Sequence, residues 1–264
     1  MAERLPDKSA GGHRRRLRER FASAGLDSFH DHEVVELLLT LGTPRRDCKV
    51  VAREAMKRFK TLRAVLEASP DELQKIKGIG PVNSLAILLV RALAERYLKE
   101  GVLERPVLEA AQQVFDYLYL SMRGLKKEVF KVIYLDNKHY VLDIADLVIG
   151  SLSSGAVAPR EVIGAAIGKS AAALIFVHNH PSGDPAPSKA DKELTRELVY
   201  AAGVMKLRAL DHIIIGDNRY FSFAADGLME EYETAFLDLR LKGVSEARRR
   251  IYRAQLFGGP PDKG

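Results

Sequence analysis

One wholly apolar segment, Ala171–Val177, most constrains the fold of this chain. Its length suits a strand that is buried on both faces and is short for a buried helix. Helical patterns flank the segment, from Arg160 to Gly168 before it and from Ser188 to Ala202 after it, where Gly203 ends the second pattern. A buried strand between helices predicts a mixed α/β or α+β domain.

Two histidines stand directly after this segment, at positions 178 and 180, and Pro181 follows them. Side chains alternate between the two faces of a strand, so residues two apart project to the same side. His178 and His180 therefore place two imidazoles together at the end of a buried strand. Two histidines at a sheet edge are also common as ordinary polar residues, so this spacing alone does not establish a site.

A carboxylate begins the next helix. Ser188 is a good N-cap, and Asp191 stands three positions later in a capping-box pattern. A carboxylate in the first helical turn faces the preceding loop, where it can meet the histidines. A capping pair without a ligand role is the plainer interpretation. However, the Pro-Ser-Gly-Asp-Pro loop before it, where Asp184 is expected to be a turn residue, has no evident structural role.

Together, His178, His180 and Asp191 predict a site for one divalent metal ion, and zinc suits these ligand types. Three protein ligands leave a fourth position for water, as in catalytic zinc sites. A hydrolase also needs a general base. Glu128 and Glu161 are both candidates, and their spacing from the histidines does not choose between them.

Further strand and helix patterns surround this motif. Val129–Leu135 is rich in β-branched and aromatic residues, and a turn at 136–139 leads into a strand at Tyr140–Ile144. The remaining elements of this part are a helix at Val107–Met122, strands at Asp211–Ile215 and Tyr220–Phe223, and a charged helical tail from Leu228 to about Leu256. The final residues, GGPPDKG, are expected to be disordered.

The first part of the chain is helical in pattern and basic. Residues 1–105 contain 21 Lys and Arg against 15 Asp and Glu, whereas residues 106–264 contain 20 of each. Residues 14–20 hold five arginines, which suit either a solvated helix face or contacts to phosphate. The predicted helices are Asp31–Leu41, Cys48–Phe59, Leu62–Ala68, a short helix capped by Ser69, and Pro81–Tyr97. The basic excess predicts a polyanionic partner.

The composition also indicates the cellular compartment in which the protein is expected. A single cysteine, Cys48, excludes an intramolecular disulfide and fits a reducing compartment. The sequence lacks the run of about 18 apolar residues that a transmembrane helix needs, and the N-terminus lacks the apolar core of a secretory signal. We therefore expect a cytoplasmic protein with no membrane partner.

The complete motif string is similar to that of a known family. Glu128, the string H-N-H-P-S-G-D-P-x-P-S-x-x-D from His178 to Asp191, D-H-I-I-I-G from Asp211 and Y-F-S-F from Tyr220 closely resemble the RadC family. The C-terminal part of that family belongs to the JAMM (JAB/MPN) metalloprotease-like superfamily. The resemblance spans about residues 14–227.

The resemblance implies a role for each residue of the motif. Zinc would be held by His178, His180 and Asp191. Glu128 would be the general base and proton shuttle, and Ser188 would hydrogen-bond the oxyanion or the water. The implied reaction is attack of a zinc-activated water on an amide carbonyl. For Asp211 and His212 we expect a strand-start pair satisfied by the backbone, with an orienting role behind the metal ligands as the alternative.

The basic part resembles a second element of the same family. L-Q-K-I-K-G-I-G-P-V-N-S, from Leu73, is similar to the helix-hairpin-helix of RadC-like N-terminal parts. Glycines let the hairpin approach a phosphate backbone closely, and helix N-terminal amides bind phosphate without reading bases. An ordinary helix–helix turn also needs glycine. The candidate DNA-binding residues are Arg14, Arg15, Arg16, Lys75, Lys77, Gly78 and Gly80.

The expected organisation has four segments. They are a flexible N-terminus (1–13), an all-helical basic helix-hairpin-helix module (14–105), an MPN/JAB-like mixed sheet flanked by helices (106–227), and a C-terminal helical extension with a disordered end (228–264). Family chains usually end near the position of Gly227. The extension would therefore pack on the domain, mediate self-association into a homo-oligomer, or contact a partner.

The function predicted from the sequence is a zinc-dependent hydrolase for an amide or isopeptide bond in an unknown protein or peptide, joined to a module that binds DNA without sequence preference. One alternative is a DNA repair or processing factor with metal-dependent phosphodiester chemistry. Another is a non-enzymatic DNA-binding adaptor.

Overall fold

The structure is a computed structural model that describes residues 8–43, 46–103, 106–107, 111–149, 157–217 and 219–257. The chain divides into two compact units, and the division falls between Tyr97 and Leu98. The change from a basic to a neutral balance of charged residues, near residue 105, lies slightly beyond this division. Among the described helices, none is both long and apolar enough to cross a membrane.

The first unit is helical, as expected. Its helices are α1 (Lys8–Ala24), α2 (Asp31–Gly42), α3 (Lys49–Phe59), α4 (Leu62–Glu67), α5 (Pro70–Gln74) and most of α6 (Pro81–Leu103). Their apolar residues form one core, in which Val35, Ala52, Val65 and Leu73 are fully buried. Because α1 begins at Lys8, residues 8–13 are helical rather than a flexible segment. Residues 1–7 lie outside the described part of the chain.

Two local features set the ends of α5 and α6. The Ser69 hydroxyl accepts a hydrogen bond from the Glu72 amide at 3.3 Å, and the Glu72 carboxylate accepts one from the Ser69 amide at 2.9 Å. This confirms the predicted capping box. Gly78, in the turn between the helices, has φ +106°, and a Cβ there would lie 2.7 Å from Val51 Cγ2. The turn therefore requires glycine.

The second unit is built on a mixed sheet with the strand order β2-β1-β3-β4-β5. Its strands are β1 (Val129–Leu135), β2 (Val141–Ile149), β3 (Ala173–Asn179), β4 (Arg208–Ile215) and β5 (Tyr220–Ser222). Strands β3 and β4 are parallel, and the other neighbouring pairs are antiparallel. Every residue of β1 and β3 is buried, which explains why both strands are apolar apart from Lys131, His178 and Asn179.

Helices cover both faces of this sheet. On one face, α7 (Ala111–Met122) and the end of α6 pack against the strands. The other face is covered by α8 (Pro159–Gly168), α9 (Lys189–Val204) and α10 (Leu228–Phe257). Phe176 belongs to the core between the sheet and α8, α9 and α10, whereas Val177 belongs to the core between the sheet and α7. By the same alternation, His178 lies on the Phe176 face, which α9 covers. The predicted fold class is confirmed.

Strand β2 differs from its predicted length. It extends to Ile149 rather than Ile144, because it pairs with β1 along the whole of β1. Its polar and charged residues, such as Asp143 and Asp146, obscure the strand pattern in the sequence. Helix α7 is described from Ala111, and the predicted helix residues 108–110 lie outside the described part of the chain.

The tail forms the helix α10, and its first turns pack on the domain. Met229 and Tyr232 are buried members of the core. The Phe236 ring lies 5.6 Å from that of Tyr200, and its Cε1 atom is 2.6 Å from the position of a Cβ on Gly203. Glycine at 203 therefore makes room for the ring. The expected disordered end, residues 258–264, lies outside the described residues.

Replacing Gly203 with Val tests this contact. A branched side chain would overlap the Phe236 ring, so Gly203→Val should lower the free energy of unfolding by about 1–3 kcal/mol, measured by urea denaturation. In a Phe236→Ala background the loss should largely disappear. Gly164→Val in α8 is the control, because a Cβ there would meet nothing within 4 Å. Equal losses at both positions would contradict the packing of α10.

Candidate metal centre

The two histidines lie together where β3 ends. His178 is fully buried, and the His180 amide donates a hydrogen bond to the Ile215 carbonyl at 2.9 Å, which continues the pairing of β3 with β4. The His178 Nε2 and His180 Nε2 atoms are 3.0 Å apart. The predicted projection of both imidazoles to one side of the sheet is therefore correct.

The N-terminus of α9 brings Asp191 to these rings. The Asp191 amide donates to the Ser188 hydroxyl at 3.2 Å, and the Asp191 Oδ2 atom accepts from the Ser188 amide at 2.7 Å. This predicted capping box holds the carboxylate against the loop. Asp191 Oδ1 then lies 3.2 Å from His178 Nε2, and Asp191 Oδ2 lies 3.4 Å from His180 Nε2. Capping and metal binding are thus compatible roles for the same side chain.

The spacing of the three donor groups fits a tetrahedral ion. Ligand atoms about 2.0 Å from zinc at tetrahedral angles would be roughly 3.3 Å from one another. Here the two imidazole nitrogens are 3.0 Å apart, and they lie 3.2 and 3.4 Å from the two different oxygens of the Asp191 carboxylate, so the group has about this size. His178, His180 and Asp191 could therefore hold one metal ion, and a fourth direction stays open for a non-protein ligand.

The loop between β3 and α9 has a structural role that the sequence does not reveal. The His180 Nδ1 atom donates to the backbone carbonyl of Asp184 at 2.7 Å, so its Nε2 atom is left to face the site. Gly183 has φ +81°, and its carbonyl accepts from the Asp217 amide at 2.8 Å. Asp184 is thus more than a turn residue, because its carbonyl orients a candidate ligand.

Behind His178 lies a second buried imidazole, that of His212. The His178 Nδ1 and His212 Nε2 atoms are 2.8 Å apart, and the His212 Nδ1 atom is 2.6 Å from Thr195 Oγ1. The expectation of a backbone-satisfied pair holds for Asp211, which accepts from the amides of His212 and Ala224. It is wrong for His212, whose ring contacts a candidate ligand. Thr195 was missed, because a lone threonine inside a helix resembles any other.

Burial and charge act differently on the titratable groups. Burial lowers the pKa of His178 and lowers that of His212 well below the usual imidazole value. The hydrogen bond with the Asp191 carboxylate raises the pKa of His180. Burial acts to raise the pKa of Asp191, but hydrogen bonds with the two histidines and Ser188 outweigh it and hold that pKa far below the usual range. Asp191 is therefore a carboxylate under all ordinary conditions.

Glu128 lies next to this group, as the strand register requires. Phe130 and His178 are the last pair between β1 and β3, and continuing this antiparallel register by two residues would bring Glu128 opposite His180 on the same face. Its charge acts to raise the pKa of both imidazoles, although burial lowers the pKa of His178 overall. The other candidate base, Glu161, is an exposed residue in the first turn of α8. The geometry favours Glu128, although its catalytic role stays a prediction.

Asn179 holds the backbone around Glu128. Its Oδ1 atom accepts from the Val129 amide at 2.8 Å, and its Nδ2 atom donates to the Lys127 carbonyl at 3.2 Å. The side chain is buried and lies on the opposite face from the two histidines. This role was not predicted from the sequence, because the middle position of H-N-H carries no ligand.

The candidate DNA-binding residues belong to the first unit. Lys75, Lys77 and Gly78 are exposed in the α5–α6 turn, and Gly80 is half-buried. In α1, Arg15 and Arg16 are exposed, whereas Arg14 is half-buried. Arg20, from the same arginine cluster, pairs with Glu33 at 2.8 Å. Part of the arginine cluster therefore stabilises the unit itself, and DNA binding by the remainder stays a prediction.

Known families match both units. A RadC-like JAB domain model matches residues 108–228, and a UPF0758 N-terminal model matches residues 12–85. A UPF0758 protein of Rhodobacter capsulatus is 39% identical over 81% of this chain and 100% of its own length. A UPF0758 protein of Geobacillus kaustophilus is 39% identical over 80% of this chain and 94% of its own. A UPF0758 protein of Burkholderia thailandensis is 40% identical over 84% of this chain and 86% of its own length.

The chain belongs to the RadC-like UPF0758 family. The resemblance in the sequence is thereby confirmed, and the mixed sheet with flanking helices is the JAB/MPN-like fold of that family. The names of these relatives state no activity. The chemistry of this RadC-like protein therefore has to be inferred from its own side chains.

The raised pKa of His180 predicts a pH dependence of zinc binding. Below that pKa a proton occupies the ring and competes with zinc, and above it the ring is free to bind. The apparent zinc affinity should therefore rise with pH up to the His180 pKa, which lies above the usual imidazole value, and level off beyond it. Asp191 stays ionised and adds no pH dependence there.

Competition with a chelator of known protonation, across a pH series, measures this effect. Asp191→Asn removes the partner that raises the pKa of His180, so the residual zinc affinity of this variant should level off at a lower pH. A zinc affinity that does not change with pH in the wild type would show that His180 is not a ligand.

Proposed function

We propose that this RadC-like protein is a zinc-dependent hydrolase that cleaves an amide or isopeptide bond. The observation that carries the proposal is the mutual spacing of 3.0 to 3.4 Å among two imidazole nitrogens and a carboxylate. Three such ligands are typical of catalytic zinc, whereas a structural site usually has four protein ligands. A structural role is therefore the weaker alternative.

Each residue would contribute one step. Bound zinc would polarise the substrate carbonyl and activate a water for attack. The Glu128 carboxylate, on the same face as the ligands, would accept the proton of that water and pass it to the leaving amine. The exposed Ser188 hydroxyl accepts from the Asp191 amide, and its own proton is available to donate to the developing oxyanion.

The site opens toward solvent on one side. The His178 side chain is fully buried, whereas that of His180 is 14% exposed. A substrate would therefore approach past His180 and Ser188, and the buried His178 would anchor the ion from within.

One metal favours an amide over a phosphodiester substrate. Among the described residues, one group of His, Cys, Asp and Glu side chains could hold an ion. Phosphodiester hydrolysis commonly uses two metals about 4 Å apart. This difference supports peptide-bond chemistry over the alternative of a nucleic-acid-processing site.

Metal content tests the ligand set. Protein purified without a metal-affinity tag should contain about one zinc per chain by elemental mass spectrometry, and Asp191→Asn should lose it. Asp184→Asn is the matched control, because that carboxylate lies in the same loop but pairs with Arg219. A wild type without zinc, even after reconstitution, would refute the proposal.

Turnover tests the base. We expect Glu128→Gln to keep zinc but to lose about 100-fold or more of the hydrolysis of any peptide that the wild type cleaves, because the amide cannot take the proton. A library of linear and isopeptide-linked fluorogenic peptides supplies the substrates. Glu161→Gln should retain full activity. Unchanged turnover in Glu128→Gln would exclude Glu128 as the base.

We further propose that the first unit binds DNA without sequence preference. The turn between α5 and α6 supports this: Lys75 and Lys77 are exposed beside Gly78, and α6 begins at Pro81 directly after the turn. Exposed ammonium groups near a helix N-terminus suit a phosphate backbone.

Binding to a fluorescent duplex, measured by anisotropy over a salt series, tests this proposal. The Lys75→Ala/Lys77→Ala double variant should bind more weakly for every sequence and lose about one unit of salt slope per phosphate contact removed. Lys138→Ala/Lys192→Ala, which removes two exposed lysines of the second unit, should leave binding unchanged. Equal effects of both pairs would assign the binding to net charge alone.

A further inference from the structure

One face of α6 carries a row of large apolar side chains that the described part of the chain leaves exposed. The residues are between 54 and 78% exposed, and they are Val82, Leu85, Leu89, Leu93 and Tyr97. They recur every three or four positions, so they lie in one line along about four turns of the helix. These five side chains, the α6 stripe, all belong to the first unit.

The opposite face of α6 already packs in the core of the first unit. Ile87 is fully buried in that core, and the neighbouring residues Asn83 and Ser84 are also buried. A helix that is apolar on both faces is typical of a helix that is covered on both. Single apolar side chains at a surface are common, whereas a contiguous row of this length marks an interaction site.

The charge around the stripe excludes a polyanion as its occupant. Between Val82 and Leu93 the one charged residue is Arg91, which is half-buried. At about 3.6 residues per turn, Arg91 falls roughly 200° around the helix from Leu89, on the far side. A phosphate backbone is held by cations and is therefore a poor match for the stripe. A second apolar surface is the matching partner.

The undescribed stretches of this chain offer too little apolar surface to cover the stripe. The longest are residues 1–7, 150–156 and 258–264, with seven residues each. The first holds two large apolar side chains, Met1 and Leu5, the second holds Leu152, and the third holds none. Such stretches cannot keep water from five large side chains. The occupant therefore has to come from another molecule.

We propose that the α6 stripe is a dimer interface between two copies of this chain. In an antiparallel pair with its two-fold axis at the level of Arg91, Leu89 would meet the partner subunit's Leu93, and Leu85 would meet the partner subunit's Tyr97. Because both copies present the same apolar row, such an interface is self-complementary. The antiparallel arrangement also sets the two helix dipoles in opposite directions, which is favourable.

The size of the stripe suits a reversible dimer. Five side chains of this size and exposure present roughly 600 Å², so two copies would bury on the order of 1,200 Å², the lower end of the range for stable, specific interfaces. An apolar centre of leucine and an aromatic side chain is also typical of homodimer interfaces. We therefore expect a dimer that dissociates on dilution, because its stability depends on the concentration of the chain.

The exposed leucines of α10 are the competing surface for self-association. These are Leu237, Leu239 and Leu241, which are 56 to 69% exposed. Leu239 lies about 200° around the helix from Leu237, so it points away from the other two. Among the described side chains of α10, the exposed leucines therefore form no row as long as the α6 stripe. The α6 stripe is the larger apolar surface.

Sedimentation velocity of the full chain over a dilution series tests the proposal. The wild type should sediment as a dimer at tens of micromolar concentration and shift toward monomer on dilution. A wild type that stays monomeric at the highest concentration would overturn the proposal. Because metal-free protein is used, neither result depends on the proposed zinc site, and a failure of that site would leave this test intact.

Charged substitutions in the stripe locate the interface. Leu89→Glu/Leu93→Glu would bring uncompensated carboxylates into the interface, so its dissociation constant should rise about 100-fold or more. Far-UV circular dichroism and the melting temperature show whether the fold is kept. If this variant unfolds, Leu85→Glu/Tyr97→Glu makes the same test at other positions of the stripe. Leu89→Met/Leu93→Met keeps the apolar surface and should keep the dimer.

Leu237→Glu/Leu241→Glu is the matched control. It makes the same change at two leucines of α10 that are as exposed as those of the stripe. We expect this variant to dimerise like the wild type. Loss of the dimer in this variant alone would assign self-association to α10, and equal loss in both variants would assign it to no particular face. Either result would refute the α6 interface.

Discussion

The parallel pairing of β3 with β4 is the constraint on which the site depends. Parallel neighbours need a crossover, and here α9 supplies it. The crossover brings the N-terminus of α9 to the end of β3, where Asp191 meets His178 and His180. It also sets His212 of β4 beside His178 of β3, with Thr195 of α9 against both strands. One topological feature therefore assembles the candidate ligands and the groups behind them.

Burial on both faces of β3 makes this arrangement rigid. Phe176 and Val177 belong to different cores, so the strand cannot rotate or slip without exposing one of them. His178 continues this strand and is fully buried, whereas His180 and Ser188 lie at the rim. A polar group buried this deeply must be hydrogen-bonded, and the contact of His178 Nδ1 with His212 Nε2 satisfies one of its two ring nitrogens. The same burial that stabilises the sheet thus positions a candidate metal ligand.

Much of this organisation follows from local sequence patterns. The apolar segments of β1 and β3, the capping boxes at Ser69 and Ser188, and the helices of the first unit from α2 onward were predicted and are confirmed, because each depends on neighbouring residues. The end of β2 was predicted poorly, since its length depends on pairing with β1. The loop before α9 was misjudged, because its contacts to the β4–β5 turn join residues far apart in the chain.

The sequence by itself determined the ligand types, the spacing of His178 and His180 on one strand face, and the capping position of Asp191. These follow from the two-residue period of a strand and the geometry of a helix N-terminus. Only the tertiary structure decided that Glu128, rather than Glu161, falls opposite His180, and that His212 lies behind His178. Those relations depend on strand register and on the parallel crossover, which bring together residues that no local pattern connects.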